Sequence, residues 1–94
     1  MRNKVYKREN AIYPMYCFYD KKQTEYGVPF AQVNDETAKR YFQMMLHNGD
    51  PAMRFAPADF DLYIVGEYNA STGDFISSKP EFIVNGLEVY DESK

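Results

Sequence analysis

The clearest hydrophobic periodicity in the chain lies between residues 35 and 48. Apolar side chains recur there at helical spacing, at Ala38, Tyr41, Phe42, Met45 and Leu46. This stripe is typical of an amphipathic helix with one buried face. Asn34 or Asp35 can cap its start, and Asn48-Gly49 supplies a left-handed stop before Pro51. The pattern therefore predicts a helix over residues 35–48.

Two short strands are predicted ahead of this helix. Residues 15–19 form an aromatic-rich run with high strand propensity. Strand alternation divides its side chains between two faces, with Met15, Cys17 and Tyr19 on one and Tyr16 and Phe18 on the other. A charged loop over residues 20–27 leads to a second predicted strand at 28–33, where Pro29 indicates a sheet edge.

The strongest strand pattern follows the helix. From Phe60 to Tyr68, one alternating set is Phe60, Leu62, Ile64, Gly66 and Tyr68, and the other is Asp61, Tyr63, Val65 and Glu67. Residues 69–74 predict a turn with Gly73 in the left-handed conformation, and a return strand starts at Phe75. The pattern therefore predicts a β-hairpin over residues 60–78.

The remaining segments are less regular. Residues 50–59, bounded by two prolines, predict a linking loop. Gly66 is expected to relieve crowding beneath a ring of the helix rather than to cradle a phosphate. Residues 82–90 include an Asn85-Gly86 turn and predict either a further strand or an arm over the sheet.

The element order β-β-α-β-β predicts an α+β fold. A small antiparallel sheet would carry one amphipathic helix on one face and leave the other face open. The expected organisation is a basic flexible arm at 1–14, a single α+β domain at 15–90 and an acidic tail end at 91–94. An open face rich in Tyr and Phe requires a partner or a cover.

Composition limits the function classes. A chain of 94 residues is expected to form one domain, without room for a large cleft between lobes. No stretch approaches the roughly 20 apolar residues of a membrane span, and no signal-peptide core follows Met1. The single Cys17 excludes an internal disulfide and favours a reducing compartment. Nine Tyr and seven Phe, against few branched aliphatic residues, predict a core built around rings.

Charge is distributed unevenly within a net charge of −3. Residues 1–22 carry six Lys and Arg against two acids, whereas residues 48–94 carry three against nine acids. A basic N-terminal segment joined to an acidic half suggests contact with a polyanion at one end. Uneven charge also occurs without function in small proteins, because such fields govern non-specific association.

The basic N-terminal segment also carries interleaved rings. Single-stranded nucleic acid is held by cations along its backbone and by rings that stack on its bases. The candidate nucleic-acid-binding residues are Arg2, Lys4, Tyr6, Lys7, Arg8, Tyr13, Tyr16, Phe18, Tyr19, Lys21 and Lys22. The alternative is a solubilising tail followed by ordinary core rings, since alternation turns one ring set of the first strand towards the helix.

Signals for other chemistry are weak. Asp59, Asp61, Glu67 and Asp74 are acidic positions of the hairpin, but they are spread along it and favour a solvated face over a magnesium site. His47 is favoured at a helix end by the dipole, and Cys17 fits a small core residue. We therefore expect no enzymatic activity, no cofactor and no metal.

Two blocks of the chain carry recognisable motifs. Residues 59–75 (DFDLYIVGEYNASTGDF) and the segment PFAQVND at 29–35, followed by Ala38, Arg40 and Phe42, are similar to two blocks of one protein family. Its members are small nonstructural proteins of gokushovirus-type microviruses, bacteriophages with single-stranded DNA. The resemblance covers roughly residues 28–76. It implies a DNA-binding or replication role in the switch to single-stranded genome synthesis, in the host bacterial cytoplasm.

The resulting functional prediction is a non-virion phage protein that binds DNA, preferably single-stranded. A homodimer would lengthen the binding track and close an exposed sheet edge. The alternative is a protein–protein adaptor for a host replication factor or a phage assembly factor, which the negative net charge favours.

Overall fold

An antiparallel sheet organises the chain, whose computed structural model describes residues 11–91. Its long strands are β1 (Ile12–Asp20), β4 (Phe60–Asn69) and β5 (Asp74–Asn85), in the spatial order β1-β4-β5. Two short strands, β2 (Glu25–Tyr26) and β3 (Phe30–Ala31), pair with successive parts of the other edge of β1. Among the described residues, strand β5 therefore forms one edge of the sheet along its full length.

Helices cover one face of this sheet. Helix α1 (Asp35–Asn48) buries Ala38, Phe42 and Leu46, the stripe expected from the sequence. Within the described residues it is joined by two short helices, α2 (Pro51–Phe55) and α3 (Gly86–Tyr90). The three helices form a single layer over the sheet because Met53 of α2 and Val89 of α3 enter the same core as Phe42.

The core lies between the helix layer and the sheet. Its largest fully buried side chains are Tyr16, Phe42, Leu46 and Leu62. Rings dominate one end, where Phe18 lies 5.1 Å from Phe42 between ring centroids. The α+β fold, with its antiparallel sheet and one helix-covered face, is thus confirmed.

Helix α1 begins and ends by different devices. The Asn34 side chain accepts from the Thr37 N–H at 2.9 Å, and the Thr37 hydroxyl closes a capping box, so the predicted cap is correct. The predicted left-handed stop is wrong, because Gly49 has a φ of −81°. The helix ends instead where the Gly49 N–H donates to the Met45 carbonyl at 2.7 Å.

Two segments predicted as loops contain regular structure. Helix α2 and a 3₁₀ turn (Pro57–Asp59) occupy the predicted linking loop at 50–59. Asp50 caps α2 and Pro51 stands at its first position, where a missing N–H costs nothing. The strand predicted at 28–33 is reduced to β3, and β2 lies in the predicted charged loop.

The bounds of the first and last strands also differ from the prediction. Strand β1 begins at Ile12, so part of the predicted arm at 1–14 belongs to the sheet. The return strand of the hairpin continues beyond the predicted limit of residue 78 to Asn85. Asn85 is not in a turn between strands, because its side chain caps α3 in a capping box with Glu88.

The turn of the hairpin matches its prediction, but the pairing of β4 does not follow simple alternation. Gly73 has a φ of 86° and its N–H donates to the Asn69 carbonyl at 2.7 Å. Tyr16 pairs with Ile64 and Met15 with Gly66, so Val65 is an extra residue in a β-bulge. The bulge reverses the alternation, and every later residue of β4 faces the opposite side from that predicted.

Gly66 follows this bulge with a φ of 155°. A Cβ placed there would lie 2.4 Å from the Ile76 carbonyl oxygen of β5. The glycine is therefore required by the close approach of the neighbouring strand, and the prediction that it relieves crowding beneath a helix ring is wrong.

Candidate nucleic-acid interface

The sheet face opposite the helix layer, called here the open face, carries four rows of side chains. The strand registers fix each row across β1, β4 and β5. From one end of the sheet to the other, the rows are Tyr13–Tyr68–Phe75, Met15–Gly66–Ser77, Cys17–Tyr63–Phe82 and Tyr19–Asp61–Asn85, with Tyr26 of β2 beside Tyr19. Aromatic side chains occur in three of the four rows.

The Tyr63 cluster, formed by Tyr19, Tyr26, Tyr63 and Phe82, occupies one end of the open face. Ring centroids are 4.5 Å apart for Tyr19 and Tyr26, and 5.7 Å for Tyr19 and Tyr63. Tyr63 also meets Tyr26 and Phe82 edge-on at 5.3 and 5.9 Å. Such contacts hold the rings in place while Tyr26 and Phe82 stay exposed, so part of the cluster is available to a ligand.

A second aromatic group lies at the other end of the face. The rings of Tyr68 and Phe75 are 5.0 Å apart, and this Tyr68 pair stands beside Tyr13 in the register. Phe75 is 67% exposed, although burial of a phenylalanine ring would stabilise the protein. The ring is therefore presented to solvent next to a fixed neighbour.

Between the two aromatic groups the open face contains a cleft, called here the Gly66 cleft. Because Gly66 has no side chain, a space of about 130 Å³ is left between its cross-strand neighbours Met15 and Ser77. Its lining is Met15, Pro29, Val65, Gly66, Glu67, Phe75, Ile76 and Ser77. Most of these residues are apolar, and Phe75 also belongs to the Tyr68 pair.

Charge on the open face is largely compensated. Asp61 is the one carboxylate that the registers place there among the described strand residues. Its Oδ1 accepts from Asn85 Nδ2 at 2.8 Å and lies 3.8 Å from Lys21 Nζ. Lys22 is 3.9 Å from Asp59 and its side chain is 75% exposed. The acidic half of the chain therefore adds little uncompensated negative charge to this face.

Ionisation of Tyr63 is suppressed at the centre of its cluster. Burial raises the pKa of the Tyr63 phenol, and Tyr26, Asp61 and Tyr19 raise it further because a second negative charge beside them is unfavourable. The phenol is consequently neutral at physiological pH, where it does not repel a phosphate.

The predicted binding residues separate into four groups, the last of which faces the helix layer. Tyr13 and Tyr19 lie on the open face, and Lys21 and Lys22 follow β1 at the end occupied by the Tyr63 cluster. Arg2, Lys4, Tyr6, Lys7 and Arg8 lie outside the described residues.

Two predicted binding residues, Tyr16 and Phe18, face the helix layer instead. Tyr16 is fully buried, and its hydroxyl donates to Asp35 Oδ1 at 2.7 Å. Phe18 packs against Phe30 and Phe42, with ring centroids 5.0 and 5.1 Å apart. The prediction that these rings stack on bases is therefore wrong, because both rings are already packed in the core.

Five aromatic residues of the open face were not among the predicted binding residues. They are Tyr26, Tyr63, Tyr68, Phe75 and Phe82. The position of Tyr63 could have been predicted, because strand alternation places it on the opposite face of β4 from the buried Leu62. No pattern in the sequence marks the bulge that brings Tyr68 to the same face as Tyr63.

Two other residues with reactive side chains, His47 and Cys17, are held in packing contacts or buried. His47 stacks on Tyr90 with ring centroids 4.1 Å apart, and its Nε2 lies 2.8 Å from the Tyr90 carbonyl, which ties α1 to α3. Cys17 is buried, and burial raises the pKa of its thiol.

Among residues 11–91 no three His, Cys, Asp or Glu side chains converge as a metal site would require. No helix in this part of the chain is long and apolar enough to cross a membrane.

Comparison with known proteins identifies a family. No curated protein and no solved structure matches the chain. The family model described as Phage ORF5 protein matches residues 13–89, which extend from the first row of the open face into α3. The chain therefore belongs to the Phage ORF5 protein family of bacteriophage proteins.

Proposed function

We propose that this protein binds single-stranded DNA on its open face, as a non-virion phage protein without catalytic activity. The observation that carries the proposal is a set of aromatic residues on the sheet face that the helices leave uncovered. They are Tyr13, Tyr19, Tyr26, Tyr63, Tyr68, Phe75 and Phe82.

Stacking is the interaction that this face offers. Every base has a π-face, so rings fixed on a sheet bind single strands with little sequence preference, at about 1–3 kcal/mol per stacked base. Within the Tyr63 cluster the rings already pack on one another, and the same is true within the Tyr68 pair. Because they lose little rotamer freedom on binding, most of the stacking energy remains available for affinity.

Cations lie beside one end of the open face. Lys21 and Lys22 follow β1 beside the Tyr63 cluster. Further cations, Arg2, Lys4, Lys7 and Arg8, precede β1 in the sequence. A DNA backbone lying along the face would thus meet positive charge beside the Tyr63 cluster, which favours a polyanion despite the net charge of −3.

The proposed role in genome replication rests on the resemblance to gokushovirus proteins. The chain belongs to a bacteriophage family. Its residues 59–75 resemble a block of gokushovirus nonstructural proteins. Coating of newly displaced strands in the host bacterial cytoplasm would favour the switch from duplex replication to single-stranded genome synthesis.

A homodimer is part of the proposal. Strand β5 is an edge strand, and residues 74–82 are exposed along it. Such an edge pairs readily with another strand, and pairing with a second copy would join two open faces into a longer track.

Fluorescence anisotropy of labelled oligonucleotides tests the proposal. We expect the full chain to bind single strands more tightly than a duplex of the same length, because a duplex keeps its bases stacked. The affinity should fall as salt rises, since backbone contacts release counterions. Equal binding of duplex and single strand, or no binding at low salt, would refute the proposal.

A protein–protein adaptor is the second candidate. It is favoured by the exposure of Phe75, Ile76 and Phe82, since large exposed apolar groups also mark protein interfaces. Pulldown from host lysate before and after nuclease treatment separates the two functions. A partner that is retained after nuclease supports the adaptor, whereas a partner that is lost was held through nucleic acid.

A further inference from the structure

The Gly66 cleft interrupts the aromatic surface of the open face. Its row lies between the row of Tyr68 and the row of Tyr63, and successive rows are separated by about 6–7 Å along the strands. Gly66 cannot fill the gap, because even a Cβ there would lie 2.4 Å from the Ile76 carbonyl oxygen. The vacant position is thus imposed by the bulge and the close approach of β5.

The cleft has the size of one small planar ring. Its volume is about 130 Å³, and a protein cavity of about 150 Å³ accommodates benzene. Phe75 forms one wall and is exposed, so a base stacked on the aromatic surface can reach the cleft without crossing a barrier.

The lining favours an apolar group over a phosphate. Met15, Pro29 and Val65 contribute hydrocarbon, and among the described residues no Lys or Arg lines the cleft. A phosphate would lose its hydration against this hydrocarbon without gaining a cation in exchange. A neutral base does not carry this desolvation cost.

We infer that the Gly66 cleft is a subsite for a thymine base of single-stranded DNA, and this inference rests on the proposed function. Thymine is the DNA base that carries a methyl group, and apolar side chains recognise it by that group. Uracil has the same ring and the same hydrogen-bonding groups without the methyl. Comparison of the two bases therefore isolates the contribution of the cleft.

The expected discrimination follows from the burial of one methyl group. Removal of one methyl-sized apolar group from water corresponds to about a fourfold change in affinity. Oligo-dT should accordingly bind the wild-type protein about fourfold more tightly than oligo-dU of the same length.

Adjacent serines on β5 provide a matched pair of variants. Ser77 lines the cleft, whereas its neighbour Ser78 is not part of the lining, and both are exposed. Ser77→Ile would place a branched side chain over Gly66 and fill the cleft. Ser78→Ile adds the same side chain to the same edge strand, where β-branched residues are well tolerated.

Anisotropy titrations with oligo-dT and oligo-dU of about 12 nucleotides test the inference, since this length is within the site sizes of single-strand-binding domains. We expect the dT preference in the wild type and in Ser78→Ile, and its loss in Ser77→Ile with binding of oligo-dU retained. Equal affinities for the two oligonucleotides in the wild type would overturn the inference while leaving the proposed function intact. The same holds if the preference survives in Ser77→Ile.

Absence of binding to both oligonucleotides is a different result, because it would refute the proposed function and the thymine subsite together. The wild-type dT-to-dU ratio decides the inference even if Ser77→Ile does not fold. If a second copy of the chain fills the cleft instead, the ratio would be close to one and Ser77→Ile would change the oligomeric mass.

Discussion

Replacement of Phe82 by alanine removes one ring from the open face with little damage to the fold. Phe82 is 54% exposed, and its ring contact is the edge-on approach to Tyr63 at 5.9 Å. Because only part of the ring is buried, we expect the free energy of unfolding to fall by about 1 kcal/mol, well below the cost of removing a core phenylalanine.

The effect of Phe82→Ala on binding should be larger than its effect on stability. If Phe82 stacks on one base, its loss removes about 1–3 kcal/mol of binding free energy. This corresponds to a dissociation constant for single-stranded DNA that is raised about 5- to 150-fold. Anisotropy with a labelled oligonucleotide measures this change, and a denaturant melt of the same sample measures the stability.

Phe55 supplies a matched control for this experiment. It is 90% exposed and lies on α2 in the helix layer, away from the open face. Phe55→Ala therefore removes the same side chain from the same chain and should leave the DNA affinity unchanged. If the two variants bind DNA equally well, or if Phe55→Ala is the weaker binder, the reasoning that assigns binding to the open face is refuted.

Two further predictions concern the core and the basic arm. Tyr16→Phe removes the hydrogen bond to Asp35 and should lower the free energy of unfolding by about 1 kcal/mol in denaturant melts, without changing DNA affinity. Burial raises the pKa of Tyr16 above the ordinary value of about 10, so the folded state favours the neutral phenol. The wild type should therefore lose stability above about pH 10 more steeply than Tyr16→Phe does, and parallel pH profiles would contradict this. Joint replacement of Lys4, Lys7 and Arg8 by Ala should reduce the slope of log affinity against log salt by about 2, and an unchanged slope would exclude the arm from the phosphate contacts.

The helix and the hairpin turn were predictable because their signals are local. The stripe of Ala38, Phe42 and Leu46 requires a helix against a core, and Asn34 and Thr37 cap it within one turn of sequence. Such interactions depend on residues three or four positions apart. Pattern reasoning therefore identified α1 with its correct bounds.

The composition of the open face was less predictable because it depends on pairing between distant strands. The Val65 bulge is defined by the register of β4 against β1 and β5, which no single segment encodes. Its consequence is that Tyr68 lies on the face of Tyr63, contrary to simple alternation. The same limitation applied to Tyr16 and Phe18, because alternation separated two ring sets without showing which set the helix covers.

The start of helix α3 was not predicted, because the sequence at that point resembles a turn. Asn85-Gly86 suggested a turn, but the Asn85 side chain caps α3 and also donates to the Phe60 carbonyl and to Asp61. A Cβ on Gly86 would lie 2.1 Å from the Pro57 carbonyl oxygen, so glycine is needed for close packing. Tertiary contacts therefore convert a turn signal into a helix start.

The proposed function places single-stranded DNA on the open face. Titration of the ¹⁵N-labelled protein with unlabelled oligo-dT, followed by amide chemical shifts in two-dimensional NMR spectra, tests this placement residue by residue. We predict that chemical-shift changes concentrate on the strands around Tyr19, Tyr63 and Phe82, while the amide signals of Phe55 and of the exposed side of α1 do not change. Changes confined to the helix layer, or no changes at low salt, would show that DNA does not bind the open face.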